Sequence, residues 1–186
     1  METAAVEALQ DRVVRDIPAV VELIASSTGR VVCTGLGKSG HIARKLAATL
    51  SSTGTPASFI HATEALHGDS GGLRPEDVLI AFSASGTTAE VCHFAAMANA
   101  QGTPVVAMVG RPDSRLGGMA TAVLDVGVER EADPLGLAPT SSTTAALVMG
   151  DALAAALMVR REFTAEQFAG YHPGGALGER LTKHPT

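Results

Sequence analysis

Five short apolar runs, each followed by a segment with helical spacing, constrain the fold of this chain more than any other feature. The runs lie at residues 31–34, 57–60, 78–82, 105–109 and 123–128. Runs of this length without polar alternation are typical of strands buried on both faces of a parallel sheet. Because strands alternate with helices, neighbouring strands should run parallel. We therefore predict an α/β fold with three layers (α/β/α), a five-stranded parallel sheet and flavodoxin-like strand order.

Helical segments frame this sheet at both ends of the chain. Apolar residues at helical spacing predict an N-terminal helix over residues 3–28, kinked at Pro18. We expect one domain over all 186 residues, in which a sheet core (residues 30–160) is followed by a C-terminal tail (residues 161–186) at the active site. A chain of this length can bury a sufficient core on its own.

The segment at residues 145–159 is apolar almost all round. Both of its sides should therefore be covered, in part by another subunit. It is short and is interrupted by Gly150 and Asp151, so we do not expect it to span a membrane.

Composition excludes several classes of partner. The chain has no Trp, one Tyr, a formal net charge of -5 and no run of Lys or Arg. These features do not fit a nucleic-acid-binding surface. Cys33 and Cys92 each lie in an apolar segment, which indicates buried thiols in a reducing compartment. The N-terminus lacks the pattern of a signal peptide, so we expect a cytoplasmic protein.

The first expected strand leads into a glycine loop (residues 35–40) that matches the G-x-G-x-x-G pattern of dinucleotide sites. A dinucleotide site needs an acidic residue at the tip of the second strand, yet no carboxylate precedes Glu64. Lys38 within the turn favours one compact anion. A Walker A loop also fails, because Val32 occupies the position of its first glycine. NAD binding is therefore the weaker interpretation.

The third expected strand ends in a hydroxyl loop (residues 83–88), where four hydroxyl side chains surround Gly86 before a helix. Backbone N–H groups and the positive end of the helix dipole can hold a phosphate there. The alternative is a cluster that only caps the helix, but capping requires one hydroxyl. We therefore favour an anion site.

The loops resemble those of sugar isomerase (SIS) domains, and most of all the isomerase domain of D-arabinose 5-phosphate isomerases. The resemblance extends from about Thr34 to Leu181. Members of this family often carry a pair of CBS modules after the isomerase domain, and this chain stops at Thr186. The motifs that carry the resemblance are the glycine loop, Gly54-Thr55-Pro56, His67-Gly68-Asp69, residues 83–90, the stretch from Pro134 to Thr144, and His172-Pro173-Gly174-Gly175-Ala176-Leu177-Gly178.

The resemblance implies catalytic roles for four residues. Glu131 would move the proton between C1 and C2, His172 would assist ring opening, and Lys38 would stabilise negative charge. Glu90 would position a hydroxyl or share the acid–base work. Two alternatives remain open. In the first, Glu90 in the first turn of a helix only complements the helix dipole; in the second, Glu131 lies in a solvated charged loop.

The resemblance also implies a substrate-binding set, and it allows a zinc ion at His61 that has no part in catalysis. No cofactor is required for an isomerase that works through an enediol. Ala84 stands where Asn is common in the family and Thr87 where Glu is common, so substrate detail differs. The substrate-binding set comprises Gly37, Ser39, Gly54, Thr55, His61, His67, Ser83, Ser85, Gly86, Thr87 and Thr88.

The predicted function is the interconversion of D-arabinose 5-phosphate and D-ribulose 5-phosphate. One alternative is another phosphosugar isomerase, acting on a hexulose or heptose phosphate. The other is a non-catalytic sensor module that binds a phosphosugar. We expect a homo-oligomer, a tetramer, in which His172 serves the site of a neighbouring subunit.

Overall fold

A five-stranded parallel sheet forms the centre of the protein in a computed structural model that describes residues 1–173. Its strands are β1 (Val31–Gly35), β2 (Ala57–His61), β3 (Val78–Ser83), β4 (Val105–Val109) and β5 (Ala122–Asp125). They lie in the order β2-β1-β3-β4-β5, and every pairing is parallel. This order is flavodoxin-like, and it confirms the predicted fold class.

Eight α-helices accompany the sheet within the described residues. A short 3-10 helix (Asp69–Gly72) precedes β3. The helices are α1 (Glu2–Glu7), α2 (Gln10–Ser26), α3 (Gly37–Ser52), α4 (Ala62–Ala65), α5 (Ala89–Ala100), α6 (Arg115–Met119), α7 (Ser141–Arg160) and α8 (Ala165–Tyr171).

Each face of the sheet has its own hydrophobic core. Val31 and Cys33 of β1 pack with α2, α3 and α7, whereas Val32 packs with α4, α5 and α6. Because β1 is buried on both faces, its residues are apolar with little alternation. Each fully buried Val contributes roughly 1.5–3 kcal/mol relative to an exposed one. Both cysteines are buried and free, and burial raises the pKa of the Cys33 thiol.

Helix α7 has 20 residues and, by length and composition alone, could cross a membrane. The helix is longer than the apolar segment at residues 145–159 from which it was predicted, and the expectation that it does not span a membrane stays a prediction. The helix instead packs against α1, α2 and α3, and Leu153 and Leu157 are buried in the core. This packing accounts for much of its apolar surface.

The N-terminal helix differs from the prediction. It is broken at Ala8 and Leu9, between α1 and α2, and α2 continues through Pro18. Leu9 is 1% exposed, so the side chain at the break lies in the core. Pro18 is exposed, and the backbone carbonyl that it leaves without a donor can bond water. The single-domain interpretation and the boundaries 30–160 and 161–186 stay predictions.

Candidate active site

The carboxyl ends of the strands all lie at one edge of the sheet, where the loops into the helices begin. The order of strands reverses between β1 and β3. Helix α3, which follows β1, packs on one face, and α5, which follows β3, packs on the other. Ligands of open α/β sheets bind in the crevice at such a point. The glycine loop and the hydroxyl loop therefore meet where a ligand site is expected.

The glycine loop brings the start of α3 close to the end of β1. A Cβ on Gly40 would lie 2.8 Å from the carbonyl oxygen of Gly35, so only glycine permits this approach. No side chain of the described residues caps the helix. Lys38 is exposed in the first turn of α3 and forms no ion pair within residues 1–173. The first turn thus offers free N–H groups and an ammonium group to an anion.

The hydroxyl loop is ordered by bonds among its own side chains. The Ser83 hydroxyl lies 2.8 Å from that of Thr88 and accepts a bond from the Gly86 N–H at 3.1 Å. The Thr87 hydroxyl donates to Ser85 at 3.0 Å. None of these side chains caps α5. The interpretation as a capping cluster therefore does not describe them, and the start of α5 remains able to bind an anion.

The position of Gly86 is fixed by contacts with the segment that leads into α6. Its φ is +66°, and a Cβ there would overlap the Ser114 hydroxyl. The Leu116 N–H donates to the Gly86 carbonyl at 2.9 Å, and the Gly110 N–H donates to the Ala84 carbonyl at 3.0 Å. The loop is therefore held rigidly by glycine-specific geometry.

A cavity at this edge, called here the edge cavity, joins three of the loops. Ser39 and Ser83, both predicted to bind substrate, line it together. The first turn of α7 closes the other side. Its lining residues are Ser39, Ile42, Phe82, Ser83, Ala84, Met108, Val126, Ser142, Thr143 and Ala146.

Glu131 lies in the loop between β5 and α7, and it is bound to the start of α7. Its Oε2 accepts bonds from the backbone N–H groups of Thr140 at 2.8 Å and Ser142 at 3.1 Å, and from the Thr140 hydroxyl at 3.2 Å. Burial raises the pKa of Glu131, but hydrogen bonds from Ser142 and Thr140 lower it by more. The carboxylate is therefore ionised near neutral pH. It is an ordered helix-capping group, not a freely solvated charge.

Asp133 organises the same loop, a role that the sequence analysis missed. Its carboxylate accepts backbone bonds from Leu135, Leu137 and Ala138 at 2.7–2.9 Å. Desolvation raises the pKa of Asp133, and the backbone hydrogen bonds together lower it by more. A carboxylate followed by Pro and Gly is a turn signal that could have indicated this role.

His61 ends β2 beside a second cleft and does not fit the expected zinc site. Its neighbours there include His41, Arg44 and Phe59, and the Arg44 guanidinium lies 4.5 Å from the Phe59 ring centroid. A cation and an aromatic ring are not zinc ligands. No group of three or more His, Cys, Asp or Glu side chains that could hold a metal occurs within residues 1–173.

The remaining predicted residues at this edge do not line the edge cavity. Glu90 lies in the first turn of α5 and forms no ion pair in the described part of the chain. His67 is exposed in the loop after α4. Gly37 begins α3 at the mouth of the glycine loop. These three residues are at the correct edge of the sheet, but none of them lines the edge cavity with Ser83.

Gly54 and Thr55 lie at the opposite edge of the sheet, away from the other members of the predicted substrate-binding set. They precede β2, so they lie at the amino ends of the strands. A Cβ on Gly54 would overlap the ring of Phe163, which follows α7. Gly54 thus allows Phe163 to pack closely against the backbone. Neither Gly54 nor Thr55 lies at the edge cavity of the same chain.

His172 also lies away from the edge cavity of its own chain. Helix α7 starts at that cavity and its 20 residues rise about 30 Å, which carries the chain to the opposite edge. There the rings of Phe163 and Tyr171 stack at 5.9 Å, and His172 stacks on Phe168 at 4.0 Å. The rest of its motif, residues 174–178, lies outside the described residues.

Comparison with known proteins decides the family. The sequence profile of the SIS domain matches residues 23–156. The chain belongs to the SIS domain family. This SIS domain is 51% identical over 181 residues to arabinose 5-phosphate isomerase KdsD of Pseudomonas aeruginosa, which covers 97% of the chain and 56% of that relative. The identity to arabinose 5-phosphate isomerase GutQ of Salmonella typhi is 50% over 173 residues, or 93% of the chain and 54% of the relative.

A solved structure covers almost the same extent as this SIS domain. It is E. coli CFT073 c3406 in complex with A5P, which matches with a TM-score of 0.89 and 42% identity over 92% of each chain. The chain spans about half the length of the curated relatives it matches. The family predicted from the loop motifs is therefore confirmed.

Proposed function

We propose that this SIS domain is a phosphosugar aldose–ketose isomerase that interconverts D-arabinose 5-phosphate and D-ribulose 5-phosphate. One observation carries the proposal: the edge cavity is lined by Ser83, in the loop that leads to the uncapped start of α5, and by Ser142, at the start of α7, where Glu131 is bound. Phosphate anchoring and proton transfer need these two environments. The names of the curated relatives and the A5P in the c3406 structure support the choice of sugar.

The charges at the starts of α5 and α7 determine the orientation in which the substrate binds. The start of α5 has no capping side chain among the described residues, and no carboxylate lines the edge cavity. The start of α7 is already bound by ionised Glu131. A dianionic phosphate is therefore attracted to the hydroxyl loop and repelled from α7. The reacting carbons of the sugar then extend toward Glu131.

Proton transfer follows from this orientation. Glu131 takes the proton from C2 of the open-chain aldose, and the electrons of that C–H bond form the C1–C2 double bond and leave the negative charge on the C1 oxygen, which gives an enediolate. The proton of the O2 hydroxyl passes to the C1 oxygen. The Glu131 carboxylic acid then returns its proton to C1 as the C2 carbonyl forms, which gives the ketose. The lowered pKa of Glu131 makes it a weak base in the free protein, and a bound sugar phosphate would raise that pKa by removing water and adding negative charge.

Lys38 and Glu90 have supporting roles in this proposal. The Lys38 ammonium, at the first turn of α3, stabilises the negative charge that develops on the enediol oxygens. Glu90, in the first turn of α5, positions a sugar hydroxyl. The reaction needs no cofactor, since both proton steps use side chains of the protein.

We also propose a homo-oligomer, a tetramer, in which His172 assists ring opening at a neighbouring site. The position of His172 supports this, because the described chain carries it away from its own edge cavity. Val159 of α7 is 80% exposed and Tyr171 of α8 is 59% exposed, which leaves apolar surface near this histidine for a second subunit. We place the protein in the cytoplasm, which two buried free cysteines support.

A panel of sugar phosphates tests the function. Purified protein is incubated separately with ribulose 5-phosphate, a hexulose 6-phosphate and a heptulose 7-phosphate, and the aldose products are identified by chromatography. We expect the highest kcat/KM with ribulose 5-phosphate and arabinose 5-phosphate as the product. Preference for a longer sugar would favour the alternative isomerase, and binding without any product would favour the sensor module.

A further inference from the structure

The cleft beside His61 is lined by basic side chains and by no carboxylate of the described residues. This basic cleft lies along β2, the edge strand of the sheet, and its volume is about 160 Å³. Sites for drug-sized ligands measure roughly 300–1,000 Å³, so the basic cleft suits a more compact ligand. Its lining residues are Gly37, Gly40, His41, Arg44, Phe59 and His61.

Arg44 brings a positive charge to the basic cleft. Its guanidinium lies over the Phe59 ring, 4.5 Å from the centroid, and this cation–π contact covers one face of the group. Arg44 forms no ion pair within residues 1–173. The N–H groups in the guanidinium plane are therefore available to an anion, and their fork matches two oxygens of one phosphate or carboxylate.

His61 adds donor capacity that the described protein does not use. Its Nδ1 is buried and forms no hydrogen bond to any group in residues 1–173, although buried polar atoms are nearly always paired. The imidazole stands edge-on to the Phe59 ring, with the two centroids 6.3 Å apart. Phe59 therefore packs against both basic side chains and limits their movement.

We propose that the basic cleft binds a phosphate group, at a site separate from that of the substrate. His41, Arg44 and His61 line it from two elements, α3 and β2. A carboxylate has two oxygens to accept hydrogen bonds, whereas a phosphate has at least three and carries up to two negative charges. A phosphate can therefore use more of this lining. The ligand is inorganic phosphate or the phosphate of a small monoester.

Helix α3 separates the basic cleft from the edge cavity. Ser39 and Ile42 line the edge cavity, whereas His41 and Arg44 line the basic cleft. Because successive residues of a helix are rotated by roughly 100°, these two pairs project from opposite sides of α3. The hydroxyl loop follows β3, and β1 lies between β3 and β2. A phosphate in the basic cleft therefore leaves the proposed substrate site open.

NMR titration of the full chain can follow the two sites separately. The imidazole signals of His61 report the basic cleft, and the backbone N–H of Gly86 reports the hydroxyl loop. Inorganic phosphate is added at constant pH and ionic strength, and D-arabinitol 5-phosphate, which cannot isomerise, is added in a second series. We expect inorganic phosphate to shift both sets of signals, each with its own Kd. Tighter binding of arabinitol 5-phosphate at His61 would identify a monoester as the ligand, and weaker binding would identify free phosphate.

Variants of the basic cleft should weaken only the site that His61 reports. Arg44→Met keeps the packing on Phe59 and removes the charge, so we expect the phosphate Kd at His61 to rise more than tenfold and the Kd at Gly86 to stay within twofold. His41→Gln, at an exposed position, should raise the Kd at His61 by about 3- to 10-fold. Arg74→Met is the control: Arg74 is also exposed, precedes β3 at the opposite edge, and should change neither Kd.

Three outcomes would overturn the inference. Imidazole signals of His61 that respond to neither ligand would show that the basic cleft holds no phosphate. An equal rise in Kd for Arg74→Met would indicate nonspecific attraction to surface charge. An equal rise at His61 and at Gly86 in Arg44→Met would indicate one site and not two. Thermal unfolding of each variant is measured in parallel, and the exposed position of His41 keeps the test available if Arg44→Met is unstable.

Discussion

One oxygen of Glu131, Oε2, accepts all three of its hydrogen bonds from the start of α7. These bonds fix the carboxylate in place and keep it ionised. Its other oxygen, Oε1, makes no hydrogen bond to the described residues. A base needs a fixed position and a free lone pair, and this arrangement supplies both.

Replacement of Glu131 by Gln should separate catalysis from binding. Glu131→Gln keeps the shape of the side chain but removes the base, so we expect turnover to fall by roughly 10²–10⁴. Affinity for arabinitol 5-phosphate, measured by calorimetry, should fall by much less. Full activity in this variant would move the proton-transfer role to Glu90 or His172.

The contribution of Glu131 to the free energy of unfolding should depend on pH, and the same substitution measures it. Because the folded pKa of Glu131 lies below its usual value of 4.5, the ionised group stabilises the fold above that pH. This stabilisation is lost as the pH falls through the lower folded pKa. Urea unfolding should show the unmodified protein about 0.5–2 kcal/mol more stable than Glu131→Gln at pH 7, and the difference should vanish in acid. A difference that does not change with pH would show that the charge is not responsible.

Ser83 provides the corresponding test for the phosphate end. Ser83→Ala removes the hydroxyl that bonds Thr88 and Gly86, so inorganic phosphate and sugar phosphate should both bind more weakly. A hydrogen bond to a charged group contributes about 1.5–3 kcal/mol. Ser51→Ala is the control, because Ser51 donates to Ala57 at the opposite edge of the sheet. Equal phosphate affinity in the two variants would show that the phosphate does not bind at the hydroxyl loop.

The hydroxyl loop depends on a second element, the segment that enters α6. Gly86→Ala would place a methyl group on the Ser114 hydroxyl at a backbone φ of +66°. Gly102→Ala is a control with a similarly positive φ of +87° and open space around it. We expect Gly102→Ala to lower stability by about 1 kcal/mol through backbone strain, and Gly86→Ala to lower it further because its methyl group also overlaps Ser114. Only Gly86→Ala should lose phosphate affinity, by more than tenfold in calorimetry. Loss of phosphate affinity in both variants would mean that the contact between Gly86 and Ser114 has no specific role.

At the scale of elements, the strands and their order could be predicted because they depend on short buried runs. The break at Ala8 and Leu9 carried no such signal, since both sides of it show helical spacing. The position of Gly54 and Thr55 at the opposite edge could not be predicted, because order along the chain does not by itself show at which edge of the sheet a motif lies.

At the scale of the whole molecule, a single chain does not explain how His172 could take part in catalysis. It lies with Phe168 beyond the end of α7, while Glu131 lies at the start of that helix. No intrachain contact within residues 1–173 joins the two. In the proposed homo-oligomer, a neighbouring subunit would bring His172 to the site that contains Glu131.

Subunit mixing tests this shared site. His172→Ala and Glu131→Gln proteins, each inactive alone, are combined under conditions that permit subunit exchange. If sites are shared, some mixed sites contain both unmodified residues and activity partly returns. Exchange is verified with labelled subunits by mass spectrometry. No recovery after proven exchange, or a monomer in sedimentation, would contradict the shared site.

Direct observation of the reaction tests the central claim. Ribulose 5-phosphate labelled with ¹³C at C1 is added to the protein in the presence of a metal chelator, and the C1 signal is followed by NMR. We predict that the signal of the C1 hydroxymethyl carbon is replaced by anomeric signals of arabinose 5-phosphate until equilibrium is reached. A C1 signal that shifts or broadens on binding but never converts would contradict an isomerase and indicate a phosphosugar-binding module.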